Sequence, residues 1–76
     1  MFRFLIIIEK AGNNYSAYAP DLPGCVTTGE TREETEENMY TAIEMHIQGL
    51  IEDQTTIPTP QASAEYIVFK SPVEIS

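Results

Sequence analysis

Cations are scarce in this chain. Over 76 residues, four lysines and arginines face twelve aspartates and glutamates, a formal net charge of −8. Proteins that grip nucleic acid neutralise its phosphates with such cations, so the shortage argues against direct binding of DNA or RNA. A basic protein would be attracted to this surface and would meet it faster; solubility is the plainer use of the same charge. Cys25 is the only cysteine, which excludes an intrachain disulfide and fits a reducing compartment. His46 is the only histidine, and no other imidazole or thiol is spaced to share a metal ion with it. Long apolar runs are missing too. The run Phe4 to Ile8 is shorter than a signal-peptide core, and nothing approaches the length of a membrane span. A cytoplasmic protein with no membrane association is expected.

What is present suits one small domain. The chain is 42% hydrophobic, enough for a single core, but a domain of this size buries only about 60% of the surface its unfolded chain exposes. Self-association would add stability. Phe2 to Glu9 reads as a strand, with Phe2, Phe4, Ile6 and Ile8 on one face and Arg3, Leu5, Ile7 and Glu9 on the other. Its centre is apolar on both faces, which points to an inner strand or an oligomer contact. Ala11-Gly12-Asn13-Asn14 is a turn, since Gly and Asn tolerate positive φ, and Tyr15 to Ala19 returns as a second strand.

Pro20-Asp21-Leu22-Pro23-Gly24 breaks that strand, because neither proline can donate to a ladder and Gly24 permits a sharp bend. Cys25 to Thr28 is a short third strand, and Gly29 frees the backbone before a helix. Thr31 as N-cap with Glu34 three residues later forms a capping box, and acidic residues crowd the first turns, where the helix dipole favours them. Met39, Ile43, His46, Ile47, Leu50 and Ile51 recur at helical spacing, so the helix runs from about Arg32 to Glu52. Ile57-Pro58-Thr59-Pro60 is a stiff connector. Ala64 to Lys70 alternates as a last strand. The order β-β-β-α-β gives an α+β domain, one helix on a mostly antiparallel sheet.

Few residues carry chemistry. Cys25 with His46 as base would make a nucleophile pair, but no oxyanion-hole signature accompanies them, and a buried structural thiol is the simpler reading. Glu9, Asp21 and Glu30 are the carboxylates that could approach one another around Mg²⁺. The run of glutamates on the helix is explained by capping and a solvated face. No phosphate cradle, dinucleotide fingerprint or basic aromatic patch is present, so no cofactor is expected.

Tyr18 to Glu34 reads YAPDLPGCVTTGETREE: a strand enters a PDLPG turn, leaves by a short strand, crosses Gly29 and launches a capped helix. This resembles the HicB antitoxin family, specifically its N-terminal partial RNase H-like domain. The likeness continues through Asn38, Ala42, Ile43 and His46 and through the Ile57–Pro60 connector. It implies a bacterial or archaeal protein that binds and blocks a small basic HicA-like toxin, itself an mRNA-cleaving enzyme, and that forms homo-oligomers. Many HicB proteins carry a C-terminal DNA-binding module; here residues 1–70 are expected to form one domain and 71–76 a short tail, with no such module. The fold likeness assigns no catalytic, cofactor-binding or metal residue and does not imply nuclease activity. Two other readings stay open on the sequence: a stand-alone homo-oligomeric interaction domain without a toxin, and a degenerate metal-dependent nuclease. Asp21, Leu22, Pro23 and Gly24 form the candidate partner-contact loop, against the alternative that they only reverse the chain. Leu5 and Ile7 are the candidate self-association residues.

Overall fold

The computed structural model describes residues 2–72. Three strands, β1 (Ile7–Ala11), β2 (Asn14–Tyr18) and β3 (Val26–Gly29), precede one helix, α1 (Arg32–Glu52). The strands form an antiparallel sheet in the order β1-β2-β3. The α+β class and the layering of one helix on the sheet are as expected.

Gly12 closes the β1–β2 hairpin at φ +64°, a left-handed conformation that glycine adopts without a Cβ penalty. The register sets Ile8 opposite Ala17 and Ala17 opposite Thr27 on the face toward α1, and sets Ile7 opposite Tyr18 and Tyr18 opposite Val26 on the outward face. The core is small. Ala17, Ala19, Leu22, Cys25 and Met39 are buried, with Phe4, Ile6, Ile8, Ala42, Ile43 and Ile47 packed against them.

The β3–α1 junction is tight. A Cβ on Gly29 would lie 2.8 Å from the Thr35 backbone nitrogen, so only glycine lets the first helical turn sit this close to the strand. Thr31 caps the helix, its Oγ1 accepting from the Glu34 N–H at 3.0 Å, and the Thr35 hydroxyl donates to the Thr31 carbonyl at 2.7 Å. Asn38 Nδ2 donates to the Thr28 carbonyl at 2.9 Å, which ties the helix to β3. At the far end the Gln54 N–H donates to Ile51 O and the Thr55 N–H to Leu50 O. That pair of bonds is a Schellman closure, with Gln54 in the left-handed position at φ 56°.

Two strand expectations need correction. The first strand is expected over Phe2–Glu9, but pairing covers only Ile7–Ala11. Its partner β2 ends at Tyr18, opposite Ile7, so residues 2–6 run on past the end of the ladder. The stacked rings of Phe2 and Phe4, centroids 5.8 Å apart, share one side as residues two apart do in an extended chain. The last strand, expected over Ala64–Lys70, is not in the sheet. A strand exists only by pairing, and among the described residues none pairs with this segment. Of the tail expected over 71–76, residues 73–76 lie outside the described residues.

Candidate partner-binding surface

The loop between β2 and β3 is a compact knot. The Ala19 N–H donates to Cys25 O, the Leu22 N–H to Ala19 O and the Cys25 N–H to Leu22 O, at 3.0–3.2 Å. Gly24 supplies the reversal at φ +83°. The four residues expected to form an exposed contact loop divide sharply. Leu22 is fully buried in the core, so its side chain is no contact residue in this fold. The Asp21 carboxylate accepts the backbone N–H groups of Gln61 and Ala62 at 3.1 and 3.0 Å, which clamps the proline connector onto the loop. Pro23 and Gly24 alone are open to solvent. The loop ends in the core because its apolar residue turns inward, a direction that turn composition does not encode.

Leu5 and Ile7 are half-buried. The register continues Ile7 into a row across the outward face, with Tyr18 and Val26 beside it. Tyr18 and Val26 remain 41% and 64% exposed, so this face is apolar and uncovered by the helix.

The helix presents a different surface. Glu33, Glu37, Tyr40 and Glu44 follow one another at i, i+4, i+7 and i+11, which places them on one face. All four are exposed, Tyr40 at 72%. Sequence reasoning missed this acidic face with an aromatic at its centre, because Tyr40 lies one residue outside the core stripe; its spacing from Glu33 and Glu37 is the signal that could have found it. Between the helix and the first residues of the chain lies a largely apolar groove of about 620 Å³, lined by Phe2, Phe4, Tyr40, Ile43 and Ile47, with Glu44 beside them.

The candidate catalytic groups do not assemble. Cys25 and His46 line the same shallow depression beside α1, but the thiol is buried and desolvation raises its pKa, which keeps it protonated and weakly nucleophilic. Glu9, Asp21 and Glu30 do not converge: among the described residues no three His, Cys, Asp or Glu side chains are close enough to hold a metal ion. No helix among the described residues is long and apolar enough to cross a membrane.

Residues 4–72 match the family model described as the HicB-like antitoxin of the bacterial toxin-antitoxin system. The chain belongs to that family. Among solved structures, a chain of a HicA3 and HicB3 toxin-antitoxin complex is similar, with a TM-score of 0.64 at 27% identity, over 78% of this chain and 72% of that one. Among curated relatives, a 14.9 kDa protein of the rep-hol intergenic region of Haemophilus phage HP1 is 39% identical over 82% of this chain and 47% of its own length. The chain thus spans about half of that phage protein. A UPF0150 protein of Synechocystis is 34% identical over 76% of this chain and 75% of its own length. Another, from Helicobacter pylori, is 42% identical over 63% of this chain and 67% of its own.

Proposed function

We propose that this chain is the neutralising half of a toxin-antitoxin pair and acts by binding, without catalysis, a small basic HicA-like toxin in the cytoplasm of a prokaryote. The observation that carries the reading is the helix face on which Glu33, Glu37 and Glu44 flank the exposed Tyr40. Carboxylates on such a face steer a cationic partner and suppress wrong ones, and a central tyrosine is the kind of anchor around which binding energy concentrates. An RNA-cleaving toxin is itself cationic where it grips phosphate, so an acidic antitoxin can occupy the surface its substrate needs. Pro23 and Gly24, at the open end of the β2–β3 loop, extend the candidate contact.

The test is titration of the chain with a HicA-like toxin by calorimetry, beside growth rescue on co-expression. A stable complex and rescue are expected. Tyr40→Ala should weaken binding roughly 30-fold, the equivalent of about 2 kcal/mol at an anchor position, while Glu33→Lys with Glu37→Lys should slow association. No complex at low ionic strength, together with no rescue, would sink the reading.

Self-association is the second component, favoured by the uncovered outward row. We assign Leu5 and Ile7, with Tyr18 and Val26 beside them, to a contact between copies of this chain.

A further inference from the structure

Ala64–Lys70 has the pattern of a strand and no place in the sheet. Tyr66, Ile67, Val68 and Phe69 are 99%, 82%, 96% and 77% exposed. Four consecutive large apolar side chains in water are what solubility and edge protection normally avoid. Their alternation puts Tyr66 and Val68 on one face and Ile67 and Phe69 on the other, so the segment is apolar on both faces. Such a segment is stabilised by pairing with a strand whose own side chains are apolar on both faces.

The place that fits it lies at the free edge of β1. The sheet order leaves that edge unpaired among the described residues, and residues 2–6 prolong it beyond the ladder. The same two-faced character is found there. Phe4, Ile6 and Ile8 pack toward the helix, and Leu5 and Ile7 face outward. A strand added at this edge would send one pair of its side chains into the groove lined by Phe4, Ile43 and Ile47. The other pair would lengthen the outward row of Ile7, Tyr18 and Val26.

The segment does not fold back onto this edge in its own chain, where Tyr66, Ile67, Val68 and Phe69 stand in solvent. Asp21 fixes the backbone at Gln61 and Ala62, Pro58 and Pro60 stiffen the approach, and no glycine follows Gly49 to reverse the chain. The molecule is drawn out to 54 × 28 × 19 Å, with a radius of gyration of 15.8 Å; a compact chain of this length has about 11 Å. An extended arm that leaves one body and matches an edge on the same body is the arrangement that two copies satisfy by exchange.

We propose that Ala64–Lys70 of each copy adds as a fourth strand to the β1 edge of a second copy, giving a reciprocal strand-exchanged dimer. This deepens the self-association reading, and the groove it fills is bordered by Tyr40 and Glu44 of the proposed toxin face. It also reconciles the sequence pattern, which calls for a strand, with the isolated chain, in which that segment has no ladder.

The experiment is light scattering on the full chain, joined to isotope-filtered NOE spectra of a 1:1 mixture of labelled and unlabelled protein. The expected result is a mass near twice 8.5 kDa with intermolecular NOEs between residues 64–70 and residues 2–8. The double change Ile67→Lys, Phe69→Lys should bring the mass to that of one chain while the helical circular dichroism persists. Val68→Pro, which removes a ladder donor and keeps the neighbouring apolar side chains, should do the same. A dimer whose mass is unmoved by either variant and that lacks those NOEs overturns the exchange and leaves self-association through another face. A monomeric wild-type chain overturns both, and so does ordering of 64–70 only on addition of a basic toxin to a monomer.

Discussion

Gln54 is the described residue without a glycine's freedom that nonetheless takes positive φ, at 56°. It does so because the Schellman closure of α1 demands that conformation one residue past the cap Asp53. A left-handed L-residue is strained by roughly 1–2 kcal/mol, part of which glycine returns as backbone entropy in the unfolded state. Gln54→Gly should therefore raise stability by about 0.5–1 kcal/mol, read as a higher urea midpoint at unchanged slope. A lower midpoint would show that the Gln54 side chain has a compensating role. At the same scale Leu22 shows where sequence reading stops. Pro20, Pro23 and Gly24 announce a turn through their own backbone limits, which are local. Whether the side chain between them points in or out depends on Ala19, Cys25 and Met39, which the fold brings together.

Elements divide in the same way. The helix is legible to its ends, Arg32 and Glu52, because caps and the 3.6-residue period are written within a few positions. The hairpin is legible because Gly12-Asn13 joins two alternating runs. Strand ends are less so: where β1 begins pairing is set by where β2 stops. The segment 64–70 carries strand character that no neighbour among the described residues of its own chain completes. The connector depends on a contact forty residues away, from Asp21 to Gln61, that spacing could not reveal. That contact gives the element-scale prediction. Hydrogen bonds to a charged acceptor contribute about 1.5–3 kcal/mol, so Asp21→Ala should release the connector and lose most of that from its local ordering. Amide exchange at Gln61 and Ala62 should rise to the rate of exposed backbone, while the β1–β2 ladder stays protected. Unchanged protection at those two amides would show that the proline segment holds itself.

For the whole molecule, like-charge repulsion governs how stability responds to salt. A net −8 on a body only 19 Å across its shortest axis repels itself at low ionic strength, where the screening length is about 30 Å at 0.01 M; it shrinks to about 8 Å at 0.15 M. Raising salt over that range should raise the melting temperature by several degrees, since about 1 kcal/mol shifts a domain of this size by roughly 4–8 °C. The same step should weaken a complex held by the acidic helix face. A melting temperature that falls with salt would mean that local attractions outweigh the net charge. The acidic character is plain in the sequence, but its gathering around Tyr40 is not, because that residue lies just beside the periodic core positions.

The Asp21 clamp has a mechanical consequence. Tension along the segment 64–70 reaches the Asp21 clamp at Gln61 and Ala62. While two N–H···O bonds to that one carboxylate hold, the load enters at the β2–β3 loop; once they yield, it shifts to the C-terminal end of the helix. The slack of the connector is then released at low force, so the clamp works as a fuse: a partner can tug on the arm and lengthen it without unravelling the core to which it is tied.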